Sequence, residues 1–311
     1  MLEAASSLGL EPDGRLFALN SYENRVYQVG SESLGAVVLK FYRAARWSDA
    51  QILEEHAFAT ELRAADLPVS APLEFSGRTL IVADPWRYAV FPRESARAIE
   101  IDAQGSLEWI GRTLGRLHAV GARRRFVVRA ALTVDRLGWQ ARETVLTSAE
   151  LDEFEVEPTL IERYAEASAA LLEAVELRIS TLGLLSVIRL HGDCHLGNIL
   201  WNEQGPVFVD LDDCMMGPRI QDLWMFLSGS PDDRERQWTE LMAGYRRFHD
   251  IDESERELVE ALRALRMIHH AAWIVARWRD PAFPRAFPGF STSRHWQEYV
   301  SDLWQQVEAV R

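Results

Sequence analysis

Lysine is almost missing from this chain. Of its 34 basic residues 33 are arginine, and the one lysine is Lys40. Ammonium is a compact point charge and guanidinium a wide planar fork, so the two do not substitute for one another in a tight site. Lys40 is therefore the first place to look for a phosphate contact. Cysteine is scarce as well: Cys194 and Cys214 are the only two, too few for a disulfide framework, and reduced thiols are expected. Positive charge is in deficit. A net charge of −13 leaves no basic footprint with which to grip nucleic acid or an anionic membrane. No run of about 18 apolar residues is present to cross a bilayer, and the opening MLEAASSLGLEPDG lacks the basic start and apolar core of a signal peptide. A cytoplasmic protein is expected, with neither nucleic acid nor membrane as partner.

What the chain does have is concentrated in LHGDCHLGNILWNEQGPVFVDLDD, from Leu190 to Asp213. His191, Asp193, Cys194, His195 and Asn198 can all bind metal or move protons, and they fall within eight positions. Ile199 to Trp201 and Val207 to Leu211 are short runs rich in β-formers, separated by turn residues Asn202 to Gly205, which reads as a hairpin. The hairpin would return Asp210, Asp212 and Asp213 to the neighbourhood of Asp193 and Asn198. Carboxylates converging with an amide suit a hard, oxygen-liganded cation such as Mg²⁺. The plainer alternative is a pair of Asp-rich turns capping a hairpin.

A chain of 311 residues is long enough for two lobes or one large domain. Leu16–Leu19, Arg25–Val29 and Ala36–Tyr42 read as strands, the last carrying Lys40. Ser48 is a plausible N-cap for a helix reaching about Ala65. On that helix Glu55 lies in line with Ile52, Ala59 and Leu62, and an acid on an apolar stripe needs a partner, for which Lys40 is a candidate. Glu54 is the competing choice. Further strands are expected at Leu73–Phe75 with Thr79–Ala83, and at Tyr88–Phe91; beyond Pro92 the pattern turns helical over Ser106–Val120, Pro158–Ser180 and Glu253–Trp278. The expected fold is thus α+β and bilobal, with a small antiparallel-sheet lobe holding one helix at 1–92 and a larger, mostly helical lobe at 93–311. Arg123, Arg124, Arg125 and Arg129 read as a solvated loop or helix end, and His269 and His270 as packed or surface residues.

One lysine from a β-rich lobe opposite Asp193, Asn198 and Asp210 from a helical lobe is the division of labour that phosphoryl transfer from ATP requires. Lys40 would hold nucleotide phosphates, Asn198 and Asp210 would hold Mg²⁺, and Asp193 would accept or orient the proton of the attacking hydroxyl.

H-G-D-x-x-x-x-N at His191 to Asn198, followed by VDLDD at 209–213, resembles the catalytic and metal loops of the aminoglycoside phosphotransferase and protein-kinase-like superfamily. LNSYENRVYQV at 19–29, VVLKFYR at 37–43, ILEEHAFATEL at 52–62, GPRIQDLWMFLSG at 217–229 and RWRDPAFP at 277–284 extend the likeness, in order, to the bacterial stress response kinase A family. The resemblance implies a protein-kinase-like fold and a monomeric, cytoplasmic, Mg²⁺- and ATP-dependent kinase that phosphorylates serine or threonine on proteins in the response to stress. It implies Asp193 as catalytic aspartate, Asn198 and Asp210 as magnesium ligands with Asp210 also an active-site position, and Ser21 as an ATP contact. Lys40, with Glu55 or the competing Glu54 as its partner, would complete the nucleotide site. Asp222 answers to the buried helix aspartate that braces the catalytic loop of kinases.

The chain departs from ordinary protein kinases in having no G-x-G-x-x-G between its first strands, Gly192 where those enzymes place arginine, and no long activation segment after Asp210. Ser21 to Asn24 would have to cover the phosphates through backbone N–H groups and small polar side chains. Three other readings remain open on the sequence: a small-molecule kinase of the same fold acting on an aminoglycoside, homoserine or choline-like alcohol; a metallohydrolase with zinc on His191, Asp193 and His195; and a nucleotide-binding regulator without catalysis. Cys194 and Cys214 adjoin the catalytic elements, so a redox switch is weighed there against inert buried thiols.

Overall fold

The computed structural model describes residues 1–98, 105–183 and 186–311. In chain order these form α1 (Leu2–Ser6), β1 (Pro12–Leu19), β2 (Arg25–Ser31), β3 (Gly35–Phe41), α2 (Asp49–Ala64), β4 (Ile81–Ala83), β5 (Trp86–Pro92), β6 (Arg97–Ala98) and α3 (Ser106–Gly121). Then follow α4 (Gln140–Leu146), α5 (Pro158–Leu182), β7 (Val187–Leu190), β8 (Ile199–Asn202), β9 (Gly205–Phe208), β10 (Met215–Pro218), α6 (Pro231–Tyr245), α7 (Val259–Val275), α8 (Ala282–Ala286) and α9 (Ser293–Val310). The fold is α+β.

Five antiparallel strands form one sheet in the order β1-β2-β3-β5-β4. Side chains alternate across a strand, so Val37, Leu39 and Phe41 join Val29, Tyr88 and Val90 in the core beneath α1. Lys40 points to the other face, where Tyr42, Ala89 and Ile52 of α2 lie. The start of α2 is written into the sequence. The Ser48 side chain accepts from Gln51 N while the Gln51 side chain accepts from Ser48 N at 3.0 Å, a capping box that satisfies two otherwise orphaned donors. Its buried stripe carries Ile52, Glu55, His56, Ala59 and Leu62.

The chain separates into two compact units, Met1–Ala130 with Val187–Ile251, and Ala131–Ser186 with Asp252–Arg311. This cut differs from one at residue 92 because the hairpin of β8 and β9 is tied to the N-terminal part by its backbone. Phe208 N donates to Pro68 O at 2.8 Å, Ser70 N donates to Phe208 O at 2.9 Å, and β6 pairs with β8. In the same unit α3 and α6 pack backbone to backbone. A side chain at Gly111 would meet Leu241 O at 2.0 Å and one at Gly244 would meet Glu108 O at 1.9 Å, so only glycine permits the approach. The second unit is helical, built from α4, α5, α7, α8 and α9 around Tyr164, Leu171, Ile268, Phe283 and Trp296.

Three expected elements are drawn differently. Leu73–Phe75 is no strand: it touches the sheet through Leu73 N to Val90 O and closes a bridge between Phe75 and Arg78. The expected helix from Glu253 opens as a 3₁₀ segment over Glu253–Leu258 before α7 begins. The returning strand of the hairpin ends at Phe208, short of Leu211, because Asp210 takes a left-handed conformation that a ladder cannot continue. Val187–Leu190 and Met215–Pro218 pair as strands that the sequence pattern did not announce, the second containing a Gly-Pro that argues against a strand. His269 and His270 are surface residues.

His56 is buried between the Tyr42 hydroxyl, 2.7 Å from its Nε2, and Thr79 Oγ1, 2.9 Å from its Nδ1. Burial, aided by the nearby charges of Lys40 and Arg129, pulls its pKa down from 6.5 to about 3. Between those values the unfolded chain binds the extra proton, so stability from His56 is complete above pH 6.5 and is lost as pH falls toward 3. Denaturant melts between pH 7.5 and 5 should therefore show a steeper acid loss of stability in the wild type than in His56→Gln, by up to about 1.4 kcal/mol per pH unit; parallel curves would overturn this assignment.

Candidate active site

β10 pairs antiparallel with β7, Met215 opposite Leu190, so the loop that leaves β7 starts beside the end of the acidic turn. Gly192 has φ +89°, and a Cβ there would lie 2.1 Å from Asp213 O. That close crossing is the physical reason for glycine where protein kinases carry arginine. Asp222, fully buried, accepts from His191 N at 2.7 Å and Gly192 N at 2.9 Å, and His118 Nε2 lies 3.2 Å away. The carboxylate thereby holds the loop's first two residues.

Further along the loop, His195 Nδ1 accepts from Gly197 N at 2.9 Å, and its Nε2 lies 3.3 Å from Asp193 Oδ2. Asn198 Nδ2 donates to Asp193 O at 2.9 Å, which leaves the amide oxygen as the atom offered to a ligand. Val209 N donates to Asn198 O at 3.0 Å and sets the following Asp210 beside it in chain register. Asp210 has φ +61°.

Lys40 meets this turn directly. Its Nζ lies 2.9 Å from Asp210 Oδ1, 3.0 Å from Asp212 Oδ1 and 3.5 Å from Glu55 Oε1, with the residue only 6% exposed. Burial alone would pull the ammonium's pKa down; the carboxylates of Asp210, Asp212 and Glu55 outweigh it and hold the pKa well above the ordinary value. Burial pushes Glu55 up to about 7, against the pull of Lys40. Asp212 is buried too, yet Lys40 and Arg46 drive its carboxyl below the usual range. Glu54 does not compete for Lys40: it accepts from the backbone N–H groups of Val127, Val128 and Arg129.

The acidic turn is not one converging ligand set. Asp210 faces Lys40, Asp212 is shared between Lys40 and Arg46, and Asp213 pairs with Arg46 at 2.6 Å. The left-handed turn at Asp210 rotates the residues after it toward the N-terminal sheet. Asn24 Nδ2 donates to Asp212 Oδ2 at 3.2 Å, and Asn24 N donates to Ser21 Oγ at 3.2 Å, so the turn after β1 is tied to the same carboxylate. Arg129, expected in a solvated run, is buried against this loop because its guanidinium finds backbone carbonyls there. Arg46 carried no signal in the sequence beyond its residue type, and nothing there paired Asn24 or Arg129 with this turn.

Ser21, Lys40, Glu55, Asn198 and Asp210 line one cleft of about 380 Å³, whose apolar wall includes Val26 and Leu200. The Asn198 amide oxygen and the Asp210 carboxylate, which is 46% exposed, are hard oxygen donors of the kind Mg²⁺ takes in ones and twos, with substrate phosphates and water completing its shell. The zinc arrangement does not form. His191 is buried with its Nε2 engaged by Val209 O at 3.0 Å. Among the described residues no three His, Cys, Asp or Glu side chains group to hold a metal. Both cysteines are free and buried, and burial pushes both thiols well above their ordinary pKa, which makes them poor nucleophiles.

Residues 16–259 match the phosphotransferase enzyme family. The chain is 40% identical over 315 residues to a protein of Salmonella typhimurium called serine/threonine protein kinase RdoA, covering 100% of this chain and 92% of that one. It is 38% identical over 316 residues to stress response kinase A of Escherichia coli K12, with the same coverage. Among solved structures, an amicoumacin kinase in complex with AMP-PNP, Ca²⁺ and Ami superposes with a TM-score of 0.73 at 17% identity, over 99% of this chain and 93% of that one. At that identity the likeness is one of fold, and the fold is that of the protein-kinase-like phosphotransferases.

Asparagine at 222 can accept from only one of the two loop N–H groups and would present its own amide to the other. Asp222→Asn should therefore lower stability by about 2–3 kcal/mol in denaturant unfolding, and wild-type stability in the variant would refute the bracing role.

Proposed function

This chain belongs to the phosphotransferase enzyme family and, within it, to the stress response kinase A family, and from that premise we propose that it transfers the γ-phosphate of ATP to serine or threonine hydroxyls of proteins. That it is an ATP-dependent phosphotransferase follows from the family itself. The observation that supports the assignment of roles is the meeting of Lys40 Nζ with Asp210 Oδ1 at 2.9 Å in a cleft shared with Asn198.

In this reading residues 1–92 form the nucleotide-binding lobe and the chemistry comes from the part that follows. Lys40 turns its ammonium to the nucleotide phosphates, held ready by Glu55 on α2. Ser21 and the backbone of its turn cover the phosphates from the sheet side. Asn198 and Asp210 hold Mg²⁺, which when bound neutralises charge on the phosphates. Asp193 takes up the proton of the acceptor hydroxyl as its oxygen bonds to the γ-phosphorus and the bridging P–O bond breaks, ADP leaving with the electron pair. His195, 3.3 Å from Asp193, orients that carboxylate. A cytoplasmic, monomeric enzyme of the stress response is the setting that goes with this assignment.

The protein acceptor is favoured by full-length likeness to a named serine/threonine protein kinase at 40% identity. A second reading is kept because the amicoumacin kinase shares the fold: the acceptor would then be a small molecule, such as an aminoglycoside, homoserine or a choline-like alcohol. Two measurements test the proposal. Labelled ATP and Mg²⁺ should place phosphate on the chain itself or on generic protein substrates; label found only on a panel of amino alcohols and aminoglycosides would replace the protein acceptor with the second reading. Asp193→Ala should bind ATP within a few-fold of wild type while phosphoryl transfer drops by about 10²–10⁴-fold, and undiminished turnover would remove Asp193 from its role.

A further inference from the structure

Asp210 is held in the left-handed region at φ +61°, a conformation that glycine takes freely and that other residues adopt uncommonly, aspartate more than most. Such a residue costs on the order of 1–3 kcal/mol and persists only where its surroundings over-determine it. Lys40, Arg46 and Asn24 hold the side chains of this turn, and one further side chain gathers its backbone. The guanidinium of Arg129 donates through Nε to Cys214 O at 3.0 Å and through Nη2 to Asp212 O, with Leu211 O 3.5 Å from the same nitrogen. Three of the four carbonyls that follow Asp210 thus converge on a single planar fork.

Arg129 is itself held by its neighbours. It is 5% exposed, its Cζ sits 4.3 Å above the Trp47 ring, and its Nη1 lies 4.0 Å from Glu55 Oε2. Its backbone N–H and those of Val127 and Val128 are gripped by one carboxylate, Glu54, at 2.7, 2.5 and 2.9 Å. Neighbouring glutamates on α2 therefore divide the work. Glu55 reaches Lys40, and Glu54 anchors the segment whose arginine shapes the turn presenting Asp210 to that lysine.

We propose that Arg129 is a positioning residue that holds the turn after Asp210 in its left-handed form and so aims the Asp210 carboxylate into the cleft, with Glu54 setting Arg129. This rests on the reading of Asp210 as a metal ligand. Lysine could not stand in: a compact ammonium satisfies one carbonyl well and cannot span three. Removing an interaction that orients a metal ligand costs about 10–100-fold in metal affinity or activity.

The test uses the full chain and Arg129→Lys, with Glu54→Gln as a second variant that leaves the buried fork in place. Mn²⁺ binding in the presence of ADP, followed by calorimetry, reads the metal site without turnover. Phosphoryl-transfer kinetics give kcat and the KM for ATP. Arg129→Lys should weaken Mn²⁺ binding and lower kcat by about 10–100-fold while the KM for ATP stays within a few-fold; Glu54→Gln should shift the same two quantities in the same direction by less. Adding guanidinium to Arg129→Ala should restore part of the Mn²⁺ affinity. A fall in melting temperature with Mn²⁺ affinity and kcat unchanged, in either folded variant, would overturn the proposal. Wild-type chain that neither binds Mn²⁺ with ADP nor transfers phosphate would instead count against Asp210 as ligand.

Discussion

Everything in the candidate site leans on one buried ammonium. Lys40 stands within 3.5 Å of Asp210, Asp212 and Glu55, contributed by the acidic turn and by α2. Removing such charges from water is expensive, and the cost is offset only when partners are close and well satisfied. Arg46 and Arg129 supply the remaining positive charge, the first to Asp212 and Asp213, the second to the turn's carbonyls and the neighbourhood of Glu55. The cluster joins the five-stranded sheet to a turn some 170 residues later in the chain, which is why these parts form a single compact unit.

The charge cluster also explains how a turn with three carboxylates, Asp210, Asp212 and Asp213, avoids becoming an indiscriminate cation trap. Two of them, Asp212 and Asp213, are already paired with arginine. Asp210 alone combines a place in the cleft with the exposure a ligand needs. Asn198, its amide nitrogen bonded back to Asp193 O, adds one oriented oxygen. Such a pair suits a cation that keeps most of its shell for water and phosphate, and suits zinc poorly.

Backbone geometry carries as much of the site as side chains do. Gly192 passes so close to Asp213 O that any side chain would displace the loop, and Asp222 clamps the two N–H groups that lead into that crossing. In place of a glycine-rich covering loop, the turn after β1 is fastened by Asn24 to Asp212 and internally by Ser21. Short polar side chains thus order this turn.

Much of this was legible in the residues. The close spacing of His191, Asp193 and Asn198 announces a candidate site because groups near in sequence must be near in space. Lys40 stood out by composition, α2 by its Ser48 cap, and Glu55 by its place on an apolar helical stripe. Arg129 was read as solvated because a run of arginines looks alike whether it faces water or carbonyls. The choice between Glu54 and Glu55, the turning of Asp212 toward Arg46, and the pairing of β7 with β10 were equally closed to inspection. Local chemistry and periodicity determine which groups are available and which elements carry them, since both act over a few residues. Which carboxylate meets which cation, and the left-handed turn that aims Asp210, were decided by chain crossings between distant segments, where burial and the demand that every buried charge find a partner act only once the fold has closed.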